Sequence, residues 1–374
     1  MTMRDGLVDQ ADKFKKRVAS SDTSAYRVVD RGQLVVGFPI DEGVLSFQDL
    51  YDSAIVSPAY EIWDLIDPDS VSRYFLERFL RSSRALKYYA AKLQGSTARR
   101  RSLPREVFLA LPVPLPPPEE QERIVAVLDQ VDALRAKRRE AVSLLDDLTQ
   151  SIFLGMFGDP AANLRKWPQG VVSDLVASFE SGKSVAPGSD EASQSRVLKV
   201  SAVTSGEFRA KESKPLPRHY KVPPNHLARK GDLLFSRANT EELIGAVALV
   251  EEEPETLALP DKLWRFVWPR EGNSFPLYVR HLFRQEEFRR QIRERSSGTS
   301  GSMKNISQSN VLGIPCGIPP EELQRSFSER VHRIDGMRSA HRAHLAALDE
   351  LFTSLQHRAF SGALWDHEAT GDAA

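Results

Sequence analysis

Pro116-Pro117-Pro118-Glu119-Glu120-Gln121 opens one long amphipathic run, and Pro319-Pro320-Glu321-Glu322-Leu323-Gln324 opens another. The two are one passage written twice at a fixed offset. Upstream, Gly95-Ser96-Thr97 is echoed by Gly298-Thr299-Ser300. Downstream the register holds without a gap: Ile124 with Phe327, Val131 with Ile334, Asp132 with Asp335, Arg135 with Arg338. It continues with Asp146 and Asp349, Leu148 and Leu351, Ile152 and Leu355, Phe157 and Phe360. A repeat this long implies two similar modules and an internal pseudo-twofold. Such a protein suits a partner that also comes in two halves.

Each passage reads as a helix. Proline is tolerated in a first helical turn, and carboxylates favour the positive end of the helix dipole. After Pro118 no proline occurs until Gly158-Asp159-Pro160, which stops the run. Apolar residues recur at alternating four and three spacing: Val127, Val131, Leu134, Ala141, Leu145, Leu148 and Ile152, with Arg138 as the one interruption. That predicts a coiled-coil or helix-pair seam in a central helix over 116–158. A C-terminal helix is expected over 317–364, with Val331, Ile334, Leu345, Leu348, Leu351 and Leu355 in its seam. Ile124, Val142 and Phe153 fall outside the predicted seam and read as a docking face for a partner.

The helices separate two lobes. Residues 1–115 contain strand-like runs at 33–38 and 54–56 and a helical stretch near 70–93. Residues 170–316 contain strand-like runs at 196–200, 232–235, 244–250 and 263–268, then a helical stretch near 276–296. The expected fold is mixed α/β (α+β), in the order lobe, helix, lobe, helix. The duplication extends weakly into the lobes, where Arg31-Gly32-Gln33-Leu34-Val35 resembles Lys230-Gly231-Asp232-Leu233-Leu234. The first lobe reaches that point from Met1 and the second from Gly170, so the first is short of an opening segment.

The 374 residues suffice for several cores, and 41% hydrophobic with 27% charged content is ordinary for a globular protein. No stretch has the roughly 20 apolar residues of a membrane span, and Met1-Thr2-Met3-Arg4-Asp5 does not open a secretory signal. Cys316 is the one cysteine, which excludes an intrachain disulfide and a cysteine-based zinc site. Cytoplasm is the expected location. Net charge is zero, but its distribution is uneven. Residues 73–105 hold ten Lys/Arg against Glu77 alone; residues 193–240 hold ten against three acidic residues; residues 119–159 hold nine acidic and five basic residues. Neutral overall with basic lobes is compatible with gripping phosphates at chosen places.

Catalytic signatures are missing. Gly182-Lys183-Ser184 ends like a phosphate-binding loop, but position 177 is Ala where that motif needs Gly. Pro260-Asp261 is not followed by the Asp/Glu-x-Lys of a nuclease, and Asp261-Lys262 reads as a loop-to-strand transition. Ser57-Pro58-Ala59-Tyr60 is a poor imitation of an adenine methyltransferase tetrapeptide. His341 and His344 share a helical turn without an evident third ligand. No cofactor is implied, and the chain reads as a binding protein rather than an enzyme.

Taken together, a Gly-Ser/Thr loop leading to Pro-Pro-x-Glu-Gln and a long amphipathic helix, occurring twice, resembles the specificity subunit of type I restriction-modification enzymes. The matching stretches are Gly95 to Ile152 and Gly298 to Leu355; the second carries Leu323 where the first has Glu120. The resemblance implies that each lobe is a target recognition domain reading half of a bipartite, asymmetric DNA site. It implies two long antiparallel helices as a spacer. Double-stranded DNA, two modification (methyltransferase) subunits and restriction subunits would be the partners; methylation and cleavage would be theirs. In the second lobe Ser236-Arg237-Ala238-Asn239-Thr240 follows a hydrophobic strand and supplies an Arg suited to guanine and an Asn suited to adenine. The loop 298–304, with Ser300 and Lys304, could lie close to a phosphate. Candidate DNA contacts are therefore Lys15, Lys16, Arg17, Arg99, Arg100 and Arg101 in the first lobe, and Lys183, Arg196, Lys199, Arg237, Asn239, Lys262, Ser300 and Lys304 in the second. The alternatives are an interaction scaffold of two lobes and a helix pair that never touches DNA, and an enzyme using Asp261, Lys262 or the histidines.

Overall fold

The proline-glutamate passages do start helices. In the computed structural model the central helix is Pro118–Phe157 and the C-terminal helix is Glu321–Ser361, each with two glutamates in its first turn. Each ends at a glycine with positive φ, Gly158 at 69° and Gly362 at 89°, a conformation that costs glycine little. The structure describes residues 1–2, 6–9, 12, 22–94, 103–159, 163, 165–188, 195–254, 256–269, 275–298 and 303–363.

The chain divides into two units, Met1–Glu140 with His341–Ala374, and Ala141–Ala340. Each unit takes one lobe and half of each long helix. In the first unit Arg135 Nε donates to Asp349 Oδ1 (2.6 Å) and Arg138 lies 3.2 Å from His341, while Ile124 and Leu128 share a core with Ala359 and Phe360. In the second, Arg338 Nη1 donates to Asp146 Oδ1 (3.1 Å), and Phe153 and Phe157 meet Phe327 at 5.4 and 5.3 Å between ring centres. Within each unit the partners run in opposite directions, so the helix halves pack antiparallel. The ion pairs are the same pair twice: the repeat offset converts Arg135 and Asp146 into Arg338 and Asp349.

The buried line keeps Val131 of the predicted central seam and Val331 and Ile334 of the predicted C-terminal seam, but elsewhere its phase differs from the one the apolar spacing predicts. The buried line of the central helix is Gln121, Ile124, Leu128, Val131, Thr149, Phe153 and Phe157, whereas Val127, Leu134 and Leu148 are at least 40% exposed. The buried line of the second helix, Gln324, Phe327, Val331, Ile334, Arg338 and Phe360, follows at the same offset. Ile124 and Phe153, read above as a docking face, are core residues of their own units at 3% and 0% exposure, and Val142 is half-buried. The reason is that polar residues occupy the seam. Gln121 is fully buried; its Nε2 donates to Pro116 O and Ser70 O, and its Oε1 accepts from Ser72 N at 2.9 Å. The glutamine of the repeated motif thus ties the helix start to the helix Arg73–Leu80 of its lobe. Gln324 repeats the first of these bonds, to Pro319 O.

The lobes share a plan. In the first, antiparallel strands are ordered Leu45–Phe47, Leu34–Val36, Glu61–Trp63; in the second, Val247–Leu249, Leu233–Ser236, Leu263–Val267 and then Ser178–Ser181. The turn into the middle strand is the same in both. Gly32 and Gly231 each have φ of 89°; Asp30 N donates to Gln33 Oε1, and Arg229 N to Asp232 Oδ2. The helices Arg73–Leu80, Ser83–Lys92 and Arg105–Leu109 are matched by Pro276–Arg284, Glu286–Glu294 and Gln308–Leu312. The second lobe adds the strand Ser178–Ser181, the sheet of Arg196–Leu198 with Ser213–Pro215 and Leu257–Ala258, and the pair Gln169–Val171 with Pro315–Gly317.

Candidate nucleic-acid interface

The strand Leu233–Ser236 is wholly buried, so its end is fixed by the core of the second lobe. Arg237 follows it. Its N–H donates to Lys262 O (3.1 Å), its Nε donates to Asp261 O (2.7 Å), and its Nη2 lies 3.5 Å from Asp261 Oδ2. The guanidinium also faces the Trp264 ring at 5.9 Å. Asn239 pairs with Lys304 in a short antiparallel ladder, Ala238–Asn239 against Lys304–Asn305. Its Nδ2 donates to Ser236 Oγ (3.3 Å), and its Oδ1 accepts from Thr240 N. Lys304 Nζ stands 4.0 Å from Glu241. Arg237, Asn239, Lys262 and Lys304, scattered over almost seventy positions of sequence, thus stand on adjoining backbone. Lys183 belongs nearby: Gly182 is pressed so close to Leu259 that a Cβ there would meet Leu259 O at 1.6 Å. Only glycine lets that segment pass beside the turn leading to Asp261.

Other candidates are placed differently. Arg196 bonds Ser213, and Lys199 lies 3.6 Å from Glu212, so both are engaged with the neighbouring strand. Lys15, Lys16, Arg17, Arg99, Arg100, Arg101 and Ser300 lie outside the described residues. Part of the basic stretch of the first lobe is engaged internally among the described residues. Arg73 pairs with Asp49, Arg78 with Asp129 and Asp132 of the central helix, and Arg81 with Glu77. Arg84 donates to Phe360 O, and Arg105 stacks over Trp63 at 4.6 Å. Of these, Arg78 is the one that meets carboxylates of the acidic central helix. The first-lobe turn that matches Arg237–Asn239 in the fold, residues 37–44, has no basic residue.

Sequence reasoning missed two basic groups. Arg284, Arg289 and Arg293 line a cleft with Glu241 and Glu242, two and three residues after Asn239. Arg289 Nη2 donates to Glu242 O (2.5 Å), fixing the loop. The arginines of Glu286–Glu294 were visible in the sequence, but not their place beside the turn. The second group is internal. Arg280 and His281 are 3% and 4% exposed. Burial, then neighbouring arginines, lowers the proton affinity of both, and His281 falls well below the usual imidazole range. Burial opposes the charge of Arg338 too, but Asp335, Asp146 and Glu251 prevail and raise its pKa. Among the described residues no group of His, Cys, Asp and Glu could hold a metal ion, and no helix is long and apolar enough to cross a membrane.

No family model matches the chain. The EcoEI type I restriction enzyme specificity subunit of Escherichia coli is 30% identical over 162 residues, 42% of this chain and 27% of that protein. The EcoKI specificity subunit of Escherichia coli strain K12 is 25% identical over 277 residues, 69% of this chain and 58% of that one. The chain is similar in sequence to parts of type I restriction specificity subunits. Its matches span 27% and 58% of the lengths of these two relatives. Two solved structures share the fold. A chain from work on complex assembly and conformational transition of the type I R-M system aligns at a TM-score of 0.54 and 18% identity, over 92% of this chain and 85% of that one. The type I S subunit from M. genitalium aligns at 0.51 and 14% identity, over 88% and 83%.

Proposed function

We propose that this chain is the DNA-reading, non-catalytic subunit of a type I restriction-modification assembly, acting in the cytoplasm. It recognises a bipartite, asymmetric site and directs adenine methylation and cleavage by modification and restriction subunits. The observation that carries this reading is the convergence of Arg237, Asn239, Lys262 and Lys304 at one strand end of the second lobe, within a lobe-and-helix plan that occurs twice. A guanidinium and a carboxamide held by backbone bonds are suited to bidentate contact with guanine and adenine edges, and flanking lysines to phosphate. Two modification subunits fit a duplicated helix. Their docking face is the exposed apolar side of the central helix: Val127 and Leu134 in the first unit, Leu144 and Leu148 in the second.

The test is a methylation map. The chain is expressed with its modification subunit, and methylated adenines are mapped genome-wide. The expected motif has two specified halves and an unspecified spacer. A continuous motif overturns the two-lobe reading. DNA binding by the assembled complex that is absent at low salt would favour the scaffold alternative instead.

A further inference from the structure

Gly182-Lys183-Ser184 opens no helix. Residues 182–188 carry no regular structure and run as a strap over one face of the small sheet in the second lobe. At one end Gly182 lies against Leu259, the residue after the strand Leu257–Ala258. At the other end Gly188 N donates to Pro215 O (2.8 Å), and a Cβ on Gly188 would meet Leu216 O at 2.8 Å. The strap therefore crosses all three strands, from Leu257–Ala258 past Arg196–Leu198 to Ser213–Pro215. Between its glycines Val185 packs on the buried Val197, Leu216 and Ala258, while Lys183, Ser184, Ala186 and Pro187 are exposed.

The strapped face gathers uncommitted cations and donors. Ala258 pairs with Val197, and Val197 with Lys214, so Lys214 shares the face that Val185 covers. It stands exposed on the edge strand, with its backbone about 10 Å from that of Ala258 at the usual strand spacing. Neither Lys183 nor Lys214 has an ion pair or side-chain hydrogen bond among the described residues. The N–H groups of Lys183, Ser184, Val185 and Ala186 likewise meet no acceptor there. The surrounding charge is positive: residues 209–230 hold seven Lys/Arg against Glu212 alone, and Glu212 is taken by Ser201 and Lys199. At the Leu259 end the chain runs on through Pro260 and Asp261 to Lys262, whose O accepts from Arg237 N. The strap thus begins beside the turn that carries Arg237 and Asn239.

We propose that the strap 182–188 and Lys214 form a grip for the phosphate backbone of the DNA whose bases Arg237 and Asn239 meet. The inference rests on the DNA-reading function proposed above and adds its sequence-independent part. Lys183 and Lys214 supply charge, and Ser184 Oγ and the unbonded N–H groups supply hydrogen bonds to phosphate oxygens. Val185 and the two glycines hold these donors against the sheet. Contacts of this kind fix the register of a protein on a duplex and carry no sequence information.

The test uses the full chain in complex with its modification subunit and two fluorescent duplexes, one bearing the mapped motif and one unrelated, over a range of salt. Lys183→Gln and Lys214→Gln should each weaken binding to both duplexes and reduce the slope of log affinity against log salt by about one unit, the double variant by about two. The methylated motif stays that of the parent. Both side chains are exposed, so the variants keep the parent's thermal midpoint. Lys230→Gln is the control: it belongs to the same basic stretch but lies at the opposite end of Leu233–Ser236 from Arg237, and it leaves the slope unchanged. A slope unchanged in either Lys183→Gln or Lys214→Gln overturns the proposal. So does an equal loss with Lys230→Gln, which reduces the effect to overall charge. A changed motif overturns it too, since that assigns the lysines to base reading. A parent complex that binds neither duplex at low salt defeats the DNA-reading function itself, and the grip with it.

Discussion

Two phases of the long-helix seam make opposite claims about which residues carry stability, and paired truncations separate them. In the second unit the comparison is Phe153→Ala against Leu148→Ala. Phe153 is fully buried, with ring centres at 5.1 Å from Phe157, 5.4 Å from Phe327, 5.7 Å from His281 and 5.8 Å from Tyr278. Removing a buried Phe side chain costs about 3–5 kcal/mol. Several aromatic contacts worth about 0.5–1.5 kcal/mol each place this site at the upper end of that range. Leu148 is 44% exposed, so its truncation costs about 1 kcal/mol or less. In the first unit Ile124→Ala, at 3% exposure, costs about 2–4 kcal/mol, and Val127→Ala, at 41%, well under about 1. Urea unfolding followed by far-UV circular dichroism reads the differences as shifts in midpoint at constant slope. If Leu148→Ala or Val127→Ala proves the more damaging member of its pair, the seam assigned here is wrong.

Three further outcomes follow from individual groups. His281 is held neutral by burial, so the unfolded chain binds a proton that the folded chain refuses; stability falls as pH drops below about 6.5, by up to ~1.4 kcal/mol per pH unit, and His281→Phe flattens that limb of a pH–stability curve. Burial first, then Asp174, pushes the Cys316 thiol up to about 12, so it is protonated in the folded chain; native Cys316 should resist alkylation at pH 8, react once denaturant opens the second unit, and withdraw its stabilisation as pH rises from about 9 toward 12. Arg237→Ala or Asn239→Ala should relax one half of the methylated motif only, by about 1–3 kcal/mol per lost bidentate contact, and a motif unchanged in both halves would remove that turn from base reading.

The duplication and the mixed α+β plan were legible because they rest on local patterns: a proline-glutamate start, a glycine stop, and one constant offset. The phase of the seam was legible only in part, at Val131, Val331 and Ile334. The central helix carries apolar residues on two faces, and Val127, Leu134 and Leu148 form as good a period as the buried set. What decides between them is polar. Gln121, Arg135 and Arg338 can enter the seam because Ser72 N, Asp349 and Asp146 await them there, and those partners come from other elements. Within the candidate interface, Arg237 and Asn239 were readable from their position after a hydrophobic strand. Lys304 and the arginines of Glu286–Glu294 reach the same place through the sheet and its helices, which no local window contains. The pairing of Arg73, Arg78 and Arg81 was equally hidden. Arg78 meets Asp129 and Asp132 across some fifty positions of sequence.

That pairing bears on how the chain would hold DNA. Counting Lys and Arg along the sequence assigns the strongest phosphate grip to the first lobe. Yet Arg73, Arg78 and Arg81 there are committed to carboxylates of the same unit, and a paired cation must break its pair before it can release a counterion from DNA. The first-lobe turn that matches Arg237–Asn239 carries Asp41 and Glu42, as the second-lobe turn carries Glu241 and Glu242, but it has no counterpart of Arg237. In the second lobe the acidic partners of Arg237 and Lys304 sit at the longer distances of 3.5 and 4.0 Å, on side chains 36% and 61% exposed. Such screened pairs are worth little and exchange readily for a phosphate or a base edge. In the first lobe Arg78 is tied to Asp129 and Asp132 of the central helix; in the second Arg237 stands at a strand end, and on the proposed reading its contact with Asp261 would be exchanged for nucleic acid.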